Sequence, residues 1–173
     1  RVLVIDSGYY AQRAQMMAEV ALKAYGEITE VNAVDWRTYE DVGGPYDWVI
    51  ACYTETSIGL KLDIKKMRNF ANSLNAKLML DATASIGLED NHELADAISY
   101  SSCKGLFGLT GAAFVAFNDL PNFEISSFNL SINSHLGKKM TGPYHAICSF
   151  DKILENHQTF KSTVEICKEH FLN

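Results

Sequence analysis

The chain has 173 residues, 47% of them apolar, enough for one domain with its own core. A charged fraction of 21% is ordinary and speaks against disorder, and a net charge of −6 argues against nucleic-acid or anionic-membrane partners. No apolar run has the length of a membrane span and no secretory signal is visible. The four cysteines, Cys52, Cys103, Cys148 and Cys167, fall in no metal-ligand spacing, so reduced thiols, no bound metal and a cytoplasmic location are expected.

Residues 2–5 are a short apolar run with Gly8 close behind, the pattern of a buried strand and turn. From Tyr9 to Tyr25 a stripe of Tyr10, Ala14, Met17, Ala21 and Ala24 recurs at helical spacing, and Gly26 ends it. Residues 28–33 read as a strand, 43–45 as a loop and Trp48–Cys52 as a second buried strand. A polar loop is expected at 54–57. Ile64, Met67, Phe70 and Leu74 mark a helix over 62–74. Residues 77–80 form a strand ending on Asp81, Ala97–Ser101 another ending near Lys104, and 112–117 a last one after a glycine-rich turn. Beyond Pro121, Ser, Asn and Lys dominate to Lys139, followed by helices at Tyr144–Leu154 and 160–171. The chain opens on Arg1 directly into a strand and ends in a helix, as expected of a segment of something longer.

Strands that alternate with helices predict a three-layer α/β/α architecture around a mostly parallel sheet. Ligands bind such sheets beyond the carboxyl ends of the strands, where 54–57, 81–83 and 101–104 fall. Lys104 follows an apolar strand and precedes Gly105, Gly108 and Gly111, which permit close approach. Most lysines are solvated surface charges. At the lip of a sheet the side chain is expected to be partly desolvated, a setting that favours a free amine able to attack a carbonyl. Asp81 closes Leu78-Met79-Leu80. Its common fate is a cap or a loop hydrogen bond. Its alternative is to face a cationic ligand group such as a protonated pyridine nitrogen. At the ends of different strands, 23 positions apart, Asp81 and Lys104 can flank one flat cofactor.

Three motifs occur in order: Glu55-Thr56-Ser57-Ile58-Gly59, Leu80-Asp81-Ala82-Thr83-Ala84-Ser85-Ile86-Gly87 and Ser101-Ser102-Cys103-Lys104-Gly105. They resemble signatures of the fold-type I, class V aminotransferases, which depend on pyridoxal 5'-phosphate (PLP). Among these, the 2-aminoethylphosphonate–pyruvate and alanine–glyoxylate enzymes are the nearest in pattern. Asp96 also fits the pattern. The resemblance implies that Lys104 forms a Schiff base with PLP and shuttles a proton, and that Asp81 pairs with the pyridinium nitrogen. It places Thr83 and Tyr10 against opposite ring faces, Thr56 near the ring hydroxyl and Cys103 among the cofactor-binding positions. It implies that Thr141 reaches the phosphate of a neighbouring subunit's cofactor, hence a homodimer. The substrates implied are a small amino donor and a 2-oxo acid. Residues 1–121 would be the cofactor-binding core. Residues 122–173 would form a dimer-contact segment and the first helices toward a C-terminal domain outside the chain.

The chain departs from this pattern at Tyr53, where histidine is common, at Ile58, a usual threonine, and at Cys103, often Gln, Asn or His. The Asp81 to Lys104 spacing is also shorter, by a trimmed loop around 88–93. The family's Ser/Gly-rich phosphate loop and its substrate-binding arginine are not found in these 173 residues. Three rival readings fit the residues less well. Cysteine desulfuration on the same fold normally has a histidine before the lysine. A phospho-accepting receiver domain needs an aspartate where the chain has Cys52-Tyr53-Thr54. A PLP-fold protein without catalysis would not need both Asp81 and Lys104.

Overall fold

Val2, Leu3, Val4 and Ile5 are all buried, because their strand lies inside a sheet covered on both faces. The computed structural model describes residues 1–120, 125–127, 129–138 and 142–172. In chain order its elements are β1 (Val2–Asp6), α1 (Tyr9–Tyr25), β2 (Val31–Asp35), β3 (Trp48–Cys52), β4 (Thr54–Glu55), β5 (Leu60–Lys61), α2 (Ile64–Ser73), β6 (Lys77–Asp81), β7 (Ala97–Ser101), β8 (Ala113–Phe117), α3 (Ile132–Gly137), α4 (Tyr144–Leu154) and α5 (His157–Leu172). Six strands form one sheet in the order β2-β1-β3-β6-β7-β8. Neighbours are parallel except β8, which returns antiparallel to β7. The mostly parallel α/β architecture predicted from the sequence is the one observed.

Alternation along the strands divides the core. Leu3, Ile5, Val49, Ala51, Leu78 and Leu80 face one way and pack on Ile64, Met67, Phe70 and Ala71 of α2. Each such large side chain contributes about 1.5–3 kcal/mol by leaving water. Val2 and Val4 face the other way, onto Ala18 of α1, with Trp48 and Ile50 alongside. Asp63 caps α2 by accepting from the amides of Lys65 (2.9 Å) and Lys66 (3.1 Å), so this helix begins at Ile64, two residues later than the expected 62–74.

The buried face of α1 differs from the expected stripe. Ala11 and Ala18 are buried, whereas Met17 is 65% exposed. Both stripes have helical spacing. The alanines let the helix axis approach the sheet closely, and that selects the face. Residues 28–30 precede β2 rather than belonging to it, and 54–57 is no simple loop, because β4 pairs with β5 in a short hairpin.

Asp96, at the foot of β7, accepts from the Leu78 amide (2.7 Å) and from Arg68 Nη1 (2.6 Å), while Arg68 Nη2 donates to the Ala76 carbonyl (2.9 Å). Partial burial pushes the Asp96 carboxyl up, but the Leu78 amide and the Arg68 guanidinium outweigh it and hold it below its ordinary value. A depressed carboxyl stabilises the fold above its unfolded value of about 3.9, and that contribution disappears as pH falls through the folded value. Asp96→Asn is expected to lower stability at neutral pH by about 1–3 kcal/mol and to flatten its decline on acidification below about pH 4. Thermal melting of both proteins between pH 3 and 7 checks this.

Candidate cofactor cleft

The site grows from strand ends. After β1 the chain turns at Gly8 (φ +145°) into α1, where a Cβ would lie 2.8 Å from Ser57 Oγ and 2.9 Å from Glu55 Cγ. Glu55 is fully buried, and its carboxylate accepts from the amides of Tyr10 (3.1 Å) and Ala11 (3.2 Å). Ser57 Oγ accepts from the Tyr9 amide (3.2 Å) and donates to Glu55 Oε1 (2.5 Å). The helix therefore takes its cap from a distant hairpin, and the carboxylate also meets the positive end of the helix dipole. This fixes Tyr10 against the end of β3.

Past Cys52 the extended chain alternates sides. Cys52, Thr54 and Thr56 line the cleft. Glu55 and Ser57 turn to α1, and Tyr53 Oη donates to the Asp90 carbonyl (3.0 Å). Asp81 ends β6 in register with Cys52, and its Oδ1 accepts from the Thr83 amide at 2.9 Å. The turn beyond is pinned from several directions. Ser85 Oγ pairs with His92 Nε2 (2.9 Å), Glu89 with Lys61 (2.8 Å) and Lys168 (3.0 Å), and Asp90 with Lys161 (3.1 Å). Burial holds His92 below its ordinary value despite neighbouring carboxylates.

Lys104 follows β7 in the left-handed region, φ 62°. A side chain there carries strain that the surroundings must hold in place. Gly105 donates its amide to the Thr83 carbonyl (3.4 Å), and its Cα passes so close to Ile86 that a Cβ would lie 2.4 Å from the carbonyl oxygen. This close passage draws Lys104 to the Asp81–Thr83 turn. Lys104 Nζ lies 3.5 Å from Tyr10 Oη and 4.8 Å from the centre of its ring. The side chain is exposed, not desolvated as its position in the sequence suggested. What places its amine is backbone geometry.

Tyr10, Thr56, Asp81, Thr83 and Lys104, all singled out in the sequence, line one cleft of about 270 Å³ at the carboxyl edge of the sheet. Cys103 is not among its lining residues; its sulfur pairs with Ser101 Oγ at 3.3 Å. Thr141 lies outside the described residues. Cys52, Thr54 and Ala84 also line the cleft; Thr54 falls in a stretch expected at the ligand edge, but the sequence assigned a role to none of the three. Alternation from Cys52 to Thr56 was the available signal. Burial, with the charges of Asp81 and Glu55 behind it, pushes the Cys52 thiol up to about 12, so it stays protonated and donates to the Thr54 carbonyl (3.4 Å). Among the described residues, no cluster of three or more His, Cys, Asp or Glu could hold a metal ion, and no helix is long and apolar enough to cross a membrane.

No protein-family model and no curated protein sequence matches the chain. Solved structures do. Alanine–glyoxylate aminotransferase from Nostoc sp. is similar with a TM-score of 0.71 at 18% identity, covering 89% of this chain and 46% of the other. Pyridoxamine–pyruvate aminotransferase from Mesorhizobium loti gives 0.72 at 19%, covering 94% and 47%. The chain has the fold of the large domain of fold-type I aminotransferases. It spans about half the length of these structures. The same fold carries other chemistry: apo cysteine desulfurase from Thermococcus onnurineus matches with 0.67 at 13% identity, covering 92% and 46%.

Proposed function

We propose that this chain is the cofactor-binding core of a PLP-dependent aminotransferase, with Lys104 carrying the cofactor as a Schiff base. One observation supports this most: an amine and a carboxylate from different strand ends, Lys104 and Asp81, line the same cleft with Tyr10 and Thr83. The donor set suits PLP. Lys104 offers an amine to the aldehyde, Asp81 a carboxylate to the ring nitrogen, and Tyr10 and Thr83 suit the two faces of a flat ring. The wall also holds a buried hydroxyl without a partner, Thr54 Oγ1.

Bound there, a pyridoxal group supplies an electron sink for the pair left when a proton leaves the carbon bearing the donor's amine. Asp81, held by the Thr83 amide, would keep the ring nitrogen protonated and the sink effective. Lys104 would hold the group through its amine, and the same amine, once free, would serve as the base that takes up and returns a proton. Tyr10 Oη, within 3.5 Å of Nζ, would hold the amine in place within the cleft.

For substrates the reading is a small amino donor, 2-aminoethylphosphonate first, with pyruvate as acceptor; alanine–glyoxylate exchange is second. Two similar structures are named for the 2-oxo acids glyoxylate and pyruvate, which supports an acceptor of that size. The test is a visible spectrum of the full-length protein with PLP, then borohydride reduction and peptide mapping. The expected result is a lysine-bound absorption band, reduced label on Lys104, and bleaching of the band by an amino donor with release of its oxo product. Label on another lysine refutes the assignment, and sulfide release from cysteine without amino transfer refutes the reaction.

A further inference from the structure

Ser85 is the hub of the turn that follows Asp81. It is fully buried. Its amide (3.1 Å) and its hydroxyl (3.3 Å) both donate to the Ala82 carbonyl, and its own carbonyl accepts from the amides of Leu88 (3.0 Å) and Glu89 (2.8 Å). Thr83, inside this turn, serves two sides. Its amide donates to Asp81 Oδ1 (2.9 Å), and its carbonyl accepts from Gly105, the residue after Lys104 (3.4 Å). A shift of the turn therefore disturbs the carboxylate and the amine of the cleft together.

What steadies Ser85 comes from outside the turn. His92 opens a short helical turn (His92–Leu94) between β6 and β7 and brings Nε2 within 2.9 Å of Ser85 Oγ. A serine hydroxyl has one proton. With that proton on the Ala82 carbonyl, Ser85 Oγ is left to accept, and Nε2 is the donor. Burial favours the neutral imidazole, whose one N–H this pairing assigns to Nε2. The ring is itself fixed. It lies edge-on to the buried Tyr53 ring (centroids 5.2 Å apart, planes at 65°), and Tyr53 Oη donates to the carbonyl of Asp90, two residues before His92.

We infer that His92 is a positioning residue for the cofactor: by donating to Ser85 it sets the turn that presents Asp81 to the ring nitrogen. The inference rests on the function proposed above. His92 does not line the cleft, so its effect on a bound ring passes through the turn.

The test measures the dissociation constant of PLP itself with the full-length protein and with His92→Phe and His92→Gln. Phenylalanine keeps a ring against Tyr53 and removes the donor; glutamine puts an amide N–H near the place of Nε2. The constant should rise about tenfold in His92→Phe and stay within about twofold of native in His92→Gln. A general structural role would weaken binding in any background. The measurement is therefore repeated in Asp81→Asn, where His92→Phe should add less than about a further twofold. Hydrogen exchange of the PLP-free protein gives a second readout. The Ser85 and Ile86 amides, both bonded to the Ala82 carbonyl, should exchange faster in His92→Phe, and those of β1 at the native rate. If His92→Phe does not fold, Ser85→Ala removes the other half of the bond and carries the same expectations. Native affinity in His92→Phe overturns the inference and leaves the proposed function standing. So do a full tenfold loss that persists in Asp81→Asn, a His92→Gln as weak as His92→Phe, and faster exchange in β1 as well as the turn. If the native protein binds no PLP, the proposed function fails and takes this inference with it.

Discussion

Lys104→Ala is expected to abolish covalent attachment of PLP and to reduce amino transfer by on the order of 10⁴-fold, since in the proposed mechanism one side chain would supply both the nucleophile and the proton shuttle. The fold should tolerate the change. Lys104 is exposed, and its contacts in the cleft run to the Tyr10 ring and hydroxyl. Melting temperature should therefore fall only slightly, all the more because the residue sits at φ 62°, where lysine and alanine are similarly strained. Peptide mapping after borohydride reduction should find no labelled lysine. Small primary amines added to the variant should restore part of the proton transfer, because the place beside Tyr10 in the cleft remains. Transfer at the native rate in Lys104→Ala sinks the mechanism.

The residues that carry this expectation were the easiest to read from the sequence. Asp81 and Lys104 each end a run of alternating or continuous apolar residues, and a parallel sheet collects strand ends at one edge. The cleft beneath them was harder. Thr54 and Cys52 needed only the two-residue period of an extended chain, but the sequence suggested a polar loop there, with no sides to alternate between. Glu55 could not be placed at all. Its work is to cap a helix 44 and 45 positions earlier, and no local pattern encodes such a contact. The face of α1 was misjudged for an energetic reason: methionines bury more area, yet Ala11 and Ala18 permit the closer approach. The return of β8 antiparallel to β7 has no local signature either, since its apolar run suits both directions.

Gly105→Ala is the second large effect, and it reaches the site through the backbone. The added methyl would lie 2.4 Å from the Ile86 carbonyl oxygen, inside any real contact distance. Neither side can give way easily. Ile86 belongs to a turn closed by its own amide donating to the Ala82 carbonyl (2.8 Å) and by Ser85 donating to the same oxygen (3.1 Å). On the other side, Gly105 lies between Lys104 at φ 62° and the left-handed Phe107 at φ 60°, so the segment is already strained. Relief must come from parting the two segments. That breaks the Gly105–Thr83 hydrogen bond and draws Lys104 away from Asp81. The expected loss of stability is about 1–3 kcal/mol, as for other overpacked sites. Because the displaced element carries the proposed nucleophile, amino transfer should fall further than global stability alone accounts for. Melting temperature and PLP affinity should thus decline together in Gly105→Ala. A Gly105→Ala protein that melts and binds PLP as the native one does would mean that the close approach of these two turns does not position Lys104.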